Sequence, residues 1–379
     1  MTRITALDGL RGIAALIVVF HHVLLVDGWF AESLTRYDAN PIENWRSVIY
    51  YSPLHILFAG TEAVLVFFLL SGIVLVRAFP GWASIKLSYF FSRLTRLYLP
   101  IWGSLVFALG LTFFRPDRLS NAANWWLKGN FDTVTAEGVF TTPDQATTLL
   151  SEMPLLLTYD NLYSNWLNSS LWSMKIEILA SLLLVVFVVG SKKPLLFLAG
   201  FVVAQFIPGV NPIAAQYLQF LTFFAAGAWL SVSRIRPQRL VANTLVLLSV
   251  LLFTIPWMMR GLSHSLASPL LDSAAGLVAA IMLGFGVLGD SDFSRFLSGR
   301  FGQYMGSRSY SLYLVHAPFV TLAAFWVVNA FGDSPIWFAV APFAVIGAIG
   351  VAELFHRVVE RPSLNLSRRL RIKLQRPSS

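Results

Sequence analysis

The first apolar segment of the chain contains an arginine and a histidine that could act on the same reactant. Arg11 and His22 are eleven positions apart in the run from residue 7 to residue 25. On an α-helix this spacing gives a rise of roughly 16 Å and a rotation of only about 20°, so both side chains project from one face. Histidine accepts a proton near neutral pH and arginine stabilises negative charge, so the pair predicts general-base chemistry. The alternative is that Arg11 anchors the helix at lipid headgroups and His22 lies at the interface.

Two further arginines open the third apolar segment. Arg93 and Arg96 are three positions apart and share a helix face. Two guanidinium groups in this arrangement form a strong site for phosphate, because each is always charged and can bind two oxygens at once. The alternative is that both arginines only anchor the segment on the cytoplasmic side, which lysine at any spacing would also do.

The fourth apolar segment carries polar side chains at depths where they are costly. Ser173 and Glu177 are four positions apart and lie on one helix face, whereas Lys175 points elsewhere. Glu177 lies roughly 15 Å along a helix that begins near Trp166, which places it well inside a bilayer. A carboxylate at that depth must pair, take up a proton or line a polar cavity, so Glu177 is a candidate functional residue.

A second candidate histidine lies in the ninth apolar segment, within the run from Ser309 to Pro318. His316 lies at hydrocarbon depth and is a candidate for chemistry, although a lone buried histidine is often structural. We expect Glu177 to pair with one intramembrane cation, for which the candidates are Arg11, His22 and His316.

Composition places the chain among integral membrane proteins. Hydrophobic residues make up 56% and charged residues only 12%, and the mean hydropathy is +0.67. The absence of cysteine excludes structural disulfides, thiolate metal sites and a cysteine acyl-enzyme, and no metal is expected. The net charge of +9 reflects lysines and arginines placed in alternate loops, so it predicts topology and contact with anionic membrane lipids, and no nucleic-acid partner.

The predicted fold is all-α and polytopic, with about ten transmembrane helices and with both termini in the cytoplasm. A transmembrane domain is predicted over 1–363 and a basic cytoplasmic tail over 364–379. The two largest extramembrane pieces, near 28–55 and 114–165, fall on the outer face, where each is either a functional lid or only a cap over helix ends. The ten predicted spans lie near 9–27, 56–77, 91–113, 166–190, 194–208, 213–231, 240–258, 269–288, 307–329 and 335–356.

Together these segments resemble the membrane-bound acyltransferase family 3, which includes bacterial O-acetyltransferases of surface polysaccharides. The resemblance covers about residues 5–363, and the order of its motifs makes it specific. These motifs are Leu7-Asp8-Gly9-Leu10-Arg11-Gly12 with His22, Val66-Phe67-Phe68-Leu69-Leu70-Ser71-Gly72, Arg93-x-x-Arg96, Leu171-Trp172-Ser173 with Glu177, Ser309-Tyr310-Ser311-Leu312-Tyr313-Leu314-Val315-His316, and Glu360-Arg361-Pro362.

The resemblance implies an enzyme of the bacterial cytoplasmic membrane that takes an acyl group from cytoplasmic acyl-CoA and delivers it to an acceptor at the outer face. We expect an acetyl group, a glycan or lipid-linked glycan hydroxyl as acceptor, and an oligomeric state that the sequence leaves open. The family's arginine-x10-histidine motif maps onto Arg11 and His22. With Glu177 these two residues form the predicted catalytic set, and the predicted donor-binding residues are Arg93, Arg96, Ser173 and His316.

Two features depart from the family pattern. Members usually carry an acidic residue just before the paired phenylalanines of the second span, where this chain has apolar residues 63–66 and an acidic Glu62 further upstream. The fourth span has Lys175 and a single glutamate, Glu177, where many members have two glutamates. These departures concern the type of acceptor.

Two other classes of protein fit the same buried charges. A secondary transporter of an anionic or glycan substrate would use them as a proton relay, although no internal repeat is visible in the sequence. A non-catalytic scaffold of an envelope-building complex would use them to join helices. Both would be indifferent to acyl-CoA.

Overall fold

In a computed structural model, the chain is described over residues 4–36, 44–79, 87–112, 114, 168–262, 269–332 and 336–373. Every regular element in these ranges is a helix, which confirms the all-α prediction. The outer piece predicted over 114–165 lies outside the described residues except for Phe114.

Fifteen α-helices follow one another along the described ranges, joined by three short helical turns of other types. Two of these turns are 3-10 helices, Pro53–Phe58 and Ser169–Leu171, and the third is a π-helix, His356–Glu360. The α-helices are α1 (Thr5–Leu24), α2 (Gly28–Arg36), α3 (Trp45–Tyr50), α4 (Gly60–Arg77), α5 (Leu87–Thr112), α6 (Trp172–Leu182), α7 (Leu184–Gly190), α8 (Pro194–Ala204), α9 (Pro212–Val232), α10 (Arg239–Leu262), α11 (Pro269–Leu288), α12 (Asp292–Ser298), α13 (Arg300–Phe331), α14 (Ile336–Phe355) and α15 (Arg361–Lys373).

Within the described ranges, eight helices are long and apolar enough to cross a membrane, and a ninth span results if the bent pair α6 and α7 is counted as one. These helices confirm a polytopic membrane fold. The predicted fourth span, 166–190, is not one straight helix, because α6 and α7 meet at a 64° bend. The predicted fifth span, 194–208, contains the 11-residue α8, which is short for a bilayer.

The chain divides into two compact units. The first consists of Met1–Val18, Ala39–Leu87 and Leu179–Ser309, and the second of Val19–Asp38, Ser88–Ile178 and Tyr310–Ser379. Both units are therefore built from segments that lie far apart in the sequence.

Glycines bring helices of the first unit into backbone contact. A Cβ at Gly9 would meet the carbonyl of Leu297, and one at Gly12 would meet the backbone of Met305 and Gly306. Small residues allow membrane helices to approach this closely, so the glycines of the motif around Arg11 serve packing. The same holds for α4 and α9, where Gly72 faces the Phe224 carbonyl and Gly227 faces that of Leu69.

The first unit also contains a buried polar cluster. Glu62 accepts a hydrogen bond of 2.7 Å from Trp257 Nε1, and the guanidinium of Arg260 lies 4.4 Å from the centroid of the same indole. Arg260 forms an ion pair with Asp272, and His55 stacks on Trp257 at 4.5 Å. Glu62, which departs from the family spacing, is thus held in an aromatic setting between α4 and α10.

The second unit gathers the last turns of α1, all of α2, α5 from Ser88 onwards, most of α6, the later part of α13, α14 and α15. Its C-terminal section is continuous, because the π-helix His356–Glu360 joins α14 directly to α15. Residues 364–373 of the predicted tail are helical, and Ser367 of this segment is buried and hydrogen-bonded to Ser92 of α5 at 2.8 Å. This part of the tail therefore packs on the helix bundle.

Candidate active site

The centre of the second unit holds a pair of histidines in direct contact. Nδ1 of His22 lies 3.2 Å from Nε2 of His316, and the two ring centroids are 4.8 Å apart at an edge-to-face angle of 77°. His316 is fully buried, whereas His22 is partly exposed. The structure thus brings together two histidines that lie 294 positions apart in the sequence.

The hydrogen bonds of His316 fix which nitrogen of each neutral ring carries the proton. Nδ1 of His316 lies 3.0 Å from the carbonyl oxygen of Leu312, which can only accept, so Nδ1 is the protonated nitrogen. Nε2 of His316 then has a lone pair, and His22 must donate to it from Nδ1. It follows that the lone pair of His22 is on Nε2. That atom is suited to accept a proton from a reactant.

Ser173 contacts the hydroxyl of Tyr313, whose ring lies close to His316. The Ser173 hydroxyl is 2.6 Å from the Tyr313 hydroxyl, which in turn lies 3.0 Å from the carbonyl oxygen of Ser170. The Ser173 hydroxyl also lies 3.4 Å from that carbonyl oxygen, so either hydroxyl can be the donor in the 2.6 Å contact. The Tyr313 ring is 5.8 Å from that of His316. Ser173 thus ties α6 to the helix that carries His316, and its predicted donor-binding role stays a prediction.

A proline break in α13 explains how the start of α6 is held there. Pro318 has no N–H, so the carbonyl of Leu314 lacks the donor that position 318 would normally supply. The side-chain amide of Asn168 donates to this carbonyl at 2.7 Å and to Ser104 at 3.3 Å. Its oxygen accepts from the backbone and hydroxyl of Ser170, which caps the 3-10 turn that leads into α6.

A second, charged layer surrounds Tyr310, which precedes His316 by six positions on α13 and therefore lies about 9 Å nearer the predicted cytoplasmic side. Glu177 Oε2 is 3.6 Å from Nη2 of Arg93, and both side chains are largely buried, at 11% and 14% exposure. Glu177 therefore pairs with Arg93, an arginine near the predicted cytoplasmic edge that the sequence analysis did not name as its partner. The pairing of Glu177 with Arg11, His22 or His316 stays a prediction.

Tyr310 sits at the centre of this charged layer. Its hydroxyl donates to the carbonyl of Leu97 at 2.9 Å, near the Pro100 break in α5. It also lies within electrostatic range of Arg93, Arg96, Glu177 and Glu360. Arg96 is exposed, so its guanidinium is open to solvent on the same helix face as Arg93.

The π-helix His356–Glu360 contributes two of the polar side chains near Tyr310, those of His356 and Glu360. Glu360 accepts hydrogen bonds from the Ser311 hydroxyl and, at 2.8 Å, from Nδ1 of His356. All three side chains are buried. Since a π-turn often marks a functional place in a helix, this geometry gives the Glu360-Arg361-Pro362 motif a structural reason. The motif holds the C-terminal segment to α13 next to Tyr310.

Arg11 belongs to the first unit, although it shares α1 with His22. Its guanidinium lies 3.3 Å from Asp8 one turn earlier, and both side chains are partly exposed. The helical spacing predicted for Arg11 and His22 is present in α1. The catalytic role of Arg11 stays a prediction.

The sequence interpretation gave no role to several residues of the site. Tyr310, Tyr313 and Glu360 lie within its motifs without an assigned role, and Asn168 and His356 were not named at all. Pro318 was a usable signal, because a proline inside a span leaves a carbonyl that some side chain must satisfy. Within the described residues, no group of three or more His, Asp or Glu side chains could hold a metal ion.

The arrangement can therefore accept a proton at His22 Nε2 and bind anions at Arg93 and Arg96, with the two functions in successive layers. A family model described as an acyltransferase domain, that of acyltransferase family 3, matches residues 4–353. Neither the comparison with curated proteins nor that with solved structures gave a match.

Proposed function

Because this chain belongs to the membrane-bound acyltransferase family 3, we propose that it transfers an acetyl group from cytoplasmic acetyl-CoA to a hydroxyl of an envelope glycan or lipid-linked glycan. The membrane would be the bacterial cytoplasmic membrane. The order of the two layers supports this proposal, since the charged layer lies on the predicted cytoplasmic side and the histidines lie deeper.

His22 is the general base in this proposal. The acceptor hydroxyl gives its proton to Nε2 of His22 while its oxygen attacks the carbonyl carbon of the thioester. A carbon–oxygen bond forms, the carbon–sulfur bond breaks, and the leaving thiolate takes the proton back from His22. Transfer is direct, so no acyl-enzyme forms.

The observation that carries the proposal is the fixed tautomer of His22. The chain of contacts from the Leu312 carbonyl through His316 to His22 leaves the lone pair on one defined nitrogen. A carboxylate or carbonyl that orients a histidine base has the same effect in other enzymes. If His22 only filled space, its packing would not require a hydrogen-bond partner such as His316, whose Nδ1 proton is held by the Leu312 carbonyl.

Donor binding is assigned to Arg93 and Arg96. The diphosphate of coenzyme A suits two guanidinium groups on one helix face. A pantetheine arm that extends from there along α13 would bring the thioester towards the histidines, because the layers are about 9 Å apart.

The test is thiol release from acetyl-CoA by the purified protein in nanodiscs. The chain contains no cysteine, so a thiol reagent reports coenzyme A without background from the protein. We expect slow release alone, faster release when an acceptor glycan is added, and label from acetyl-CoA in that glycan. A protein that leaves acetyl-CoA intact with every acceptor, yet moves a glycan or anion into vesicles, would contradict the proposal and favour transport.

A further inference from the structure

The C-terminal helix α15 is fastened to the turn of α5 that carries the two donor-site arginines. Ser367 contacts the Ser92 hydroxyl at 2.8 Å, and Ser363 donates to the carbonyl of Thr95 at 3.3 Å. Both serines of α15 are buried, at 5% and 3% exposure. These contacts place α15 beside Arg93, which lies between Ser92 and Thr95 in the sequence.

Arg371 extends this contact by one more turn. It follows Ser367 by four positions, so it lies on the face of α15 that packs on α5. Its guanidinium carbon is 5.5 Å from the centroid of the Tyr89 ring. A guanidinium stacked on a ring is held by its face, while its N–H donors lie in its own plane and can bind an anion there. The Arg371 side chain is exposed to solvent.

Tyr89 continues the stripe formed by Arg93 and Arg96 on α5. The three positions follow one another by four and three residues, so they share one helix face over about 10 Å. Arg371, held over Tyr89, therefore adds a third guanidinium at the end of this stripe. The result is a row of three arginines, two from α5 and one from α15.

We propose that Arg371 binds a third phosphate of the donor, the phosphate monoester on the ribose of coenzyme A, while Arg93 and Arg96 bind the diphosphate. The proposal rests on the acyl-CoA donor named above. Coenzyme A has one diphosphate and one separate monoester on the same nucleotide, which matches two adjacent arginines and a third one further along. The monoester has the higher charge, so it is the group that gains most from an added guanidinium.

Lipid headgroups offer the same phosphate chemistry, and an exposed arginine near a membrane could bind them instead. The row of arginines favours the donor, because Arg371 is held by Tyr89 on the stripe of Arg93 and Arg96. Arg369 provides a comparison within the same helix. It is two positions from Arg371, about 200° around α15, and it is exposed.

The experiment compares acetyl-CoA with acetyl-dephospho-CoA, which lacks only the monoester. For the wild-type protein we expect a KM at least about tenfold lower for acetyl-CoA, equivalent to roughly 1.4 kcal/mol. Arg371→Gln should raise KM for acetyl-CoA by about the same factor and leave KM for acetyl-dephospho-CoA unchanged. The control Arg369→Gln should keep the wild-type preference. Nanodiscs of phosphatidylcholine alone and with phosphatidylglycerol should give the same result.

A rise in KM for both donors in Arg371→Gln, or an effect that disappears without phosphatidylglycerol, would overturn the proposal in favour of a lipid contact. If Arg371→Gln fails to fold, Tyr89→Leu removes the ring on which Arg371 stacks. This variant should also reduce the preference for acetyl-CoA over acetyl-dephospho-CoA. Direct binding measurements with coenzyme A and dephospho-CoA distinguish the role of Arg371 from the identity of the donor. Wild-type protein that binds both equally overturns the role of Arg371 alone, and protein that binds neither overturns the donor as well.

Discussion

The side-chain amide of Asn168 donates to the carbonyl oxygen of Leu314, two residues before His316 in α13. Pro318 has left that carbonyl without its helical donor. Inside a bilayer no water is present to replace the missing partner, so the amide joins the start of α6 to α13 at a place where a gap would be costly. This contact fixes where α6 begins, and it therefore helps to position Ser173 and Glu177, which follow on α6.

This relationship predicts coupling between Asn168 and Pro318. Asn168→Ala should lower the free energy of unfolding by about 1 kcal/mol, because the Leu314 carbonyl loses its donor. In a Pro318→Ala background the restored N–H can bond that carbonyl, so the same change should cost less. A double-mutant cycle measured by unfolding in mixed detergent micelles checks this. Strict additivity would show that Asn168 does not serve the proline break.

The base assignment predicts different results for adjacent histidines. His22→Ala should abolish acyl transfer, while His21→Ala should retain much of it, because the two side chains point about 100° apart on α1. Thiol release from acetyl-CoA, normalised to folded protein, is the measurement. Equal losses from both changes at normal membrane levels would contradict the assignment.

The contact between the two rings gives His316, predicted from the sequence to bind the donor, a second role, in which it acts through His22. His316→Leu removes the acceptor that holds the His22 Nδ1 proton, so kcat should fall by about 10- to 100-fold with an unchanged KM for the donor. His316→Gln keeps an acceptor oxygen near the position of Nε2 and should restore part of kcat. If glutamine and leucine give the same kcat, His316 contributes packing alone.

Donor binding is tested at the arginines of α5. Arg93→Lys and Arg96→Lys should each raise KM for acetyl-CoA by about tenfold, because lysine cannot bind two phosphate oxygens in one plane. Arg357→Lys is a matched control, since Arg357 is 66% exposed and pairs with Glu353 on α14. Wild-type KM in both α5 variants would mean that these arginines only anchor the segment.

Glu177 is expected to matter through the placement of Arg93. Glu177→Gln should lower turnover per folded molecule more than it lowers the amount of folded protein, because a displaced Arg93 would misplace the thioester relative to His22. The control is thermal stability in detergent. A variant that melts earlier but turns over normally would make Glu177 a structural bridge between α5 and α6.

Hydropathy was sufficient to predict a helical membrane fold, because helices such as α4 and α13 each contain an apolar window long enough to cross a bilayer. It could not predict the bend between α6 and α7, since a hydropathy average over a window contains no information on the direction of the helix axis. Such an average also does not show where a helix ends, so the short α8 was predicted as a longer span. The glycines of α1 and α4 carried a signal for close packing, but their partners depend on the tertiary fold.

The sequence was sufficient to predict which types of residue form the site, but not which of these residues contact one another. His22 and His316 were each identified from polarity at membrane depth, yet only the fold shows that their rings are in contact. Glu177 was expected to pair with a cation deep in the membrane. Its ion pair with Arg93, which lies nearer the predicted cytoplasmic edge, was not predicted. Long side chains such as arginine reach across more than one turn, so depth estimated from sequence position is a poor guide to contact.

The π-helix at His356–Glu360 has a consequence for insertions and deletions in this region. A π-turn accommodates one residue more than an α-turn, so the segment is equivalent to a continuous helix with one residue added. Deleting a single residue there would leave α14 and α15 pointing in nearly the same directions, and the helix would run on unbroken. The Glu360 carboxylate would lose its present alignment with Ser311 and His356. A homologous chain one residue shorter at this place would thus keep the architecture while losing the contact that holds the C-terminal helix beside Tyr310.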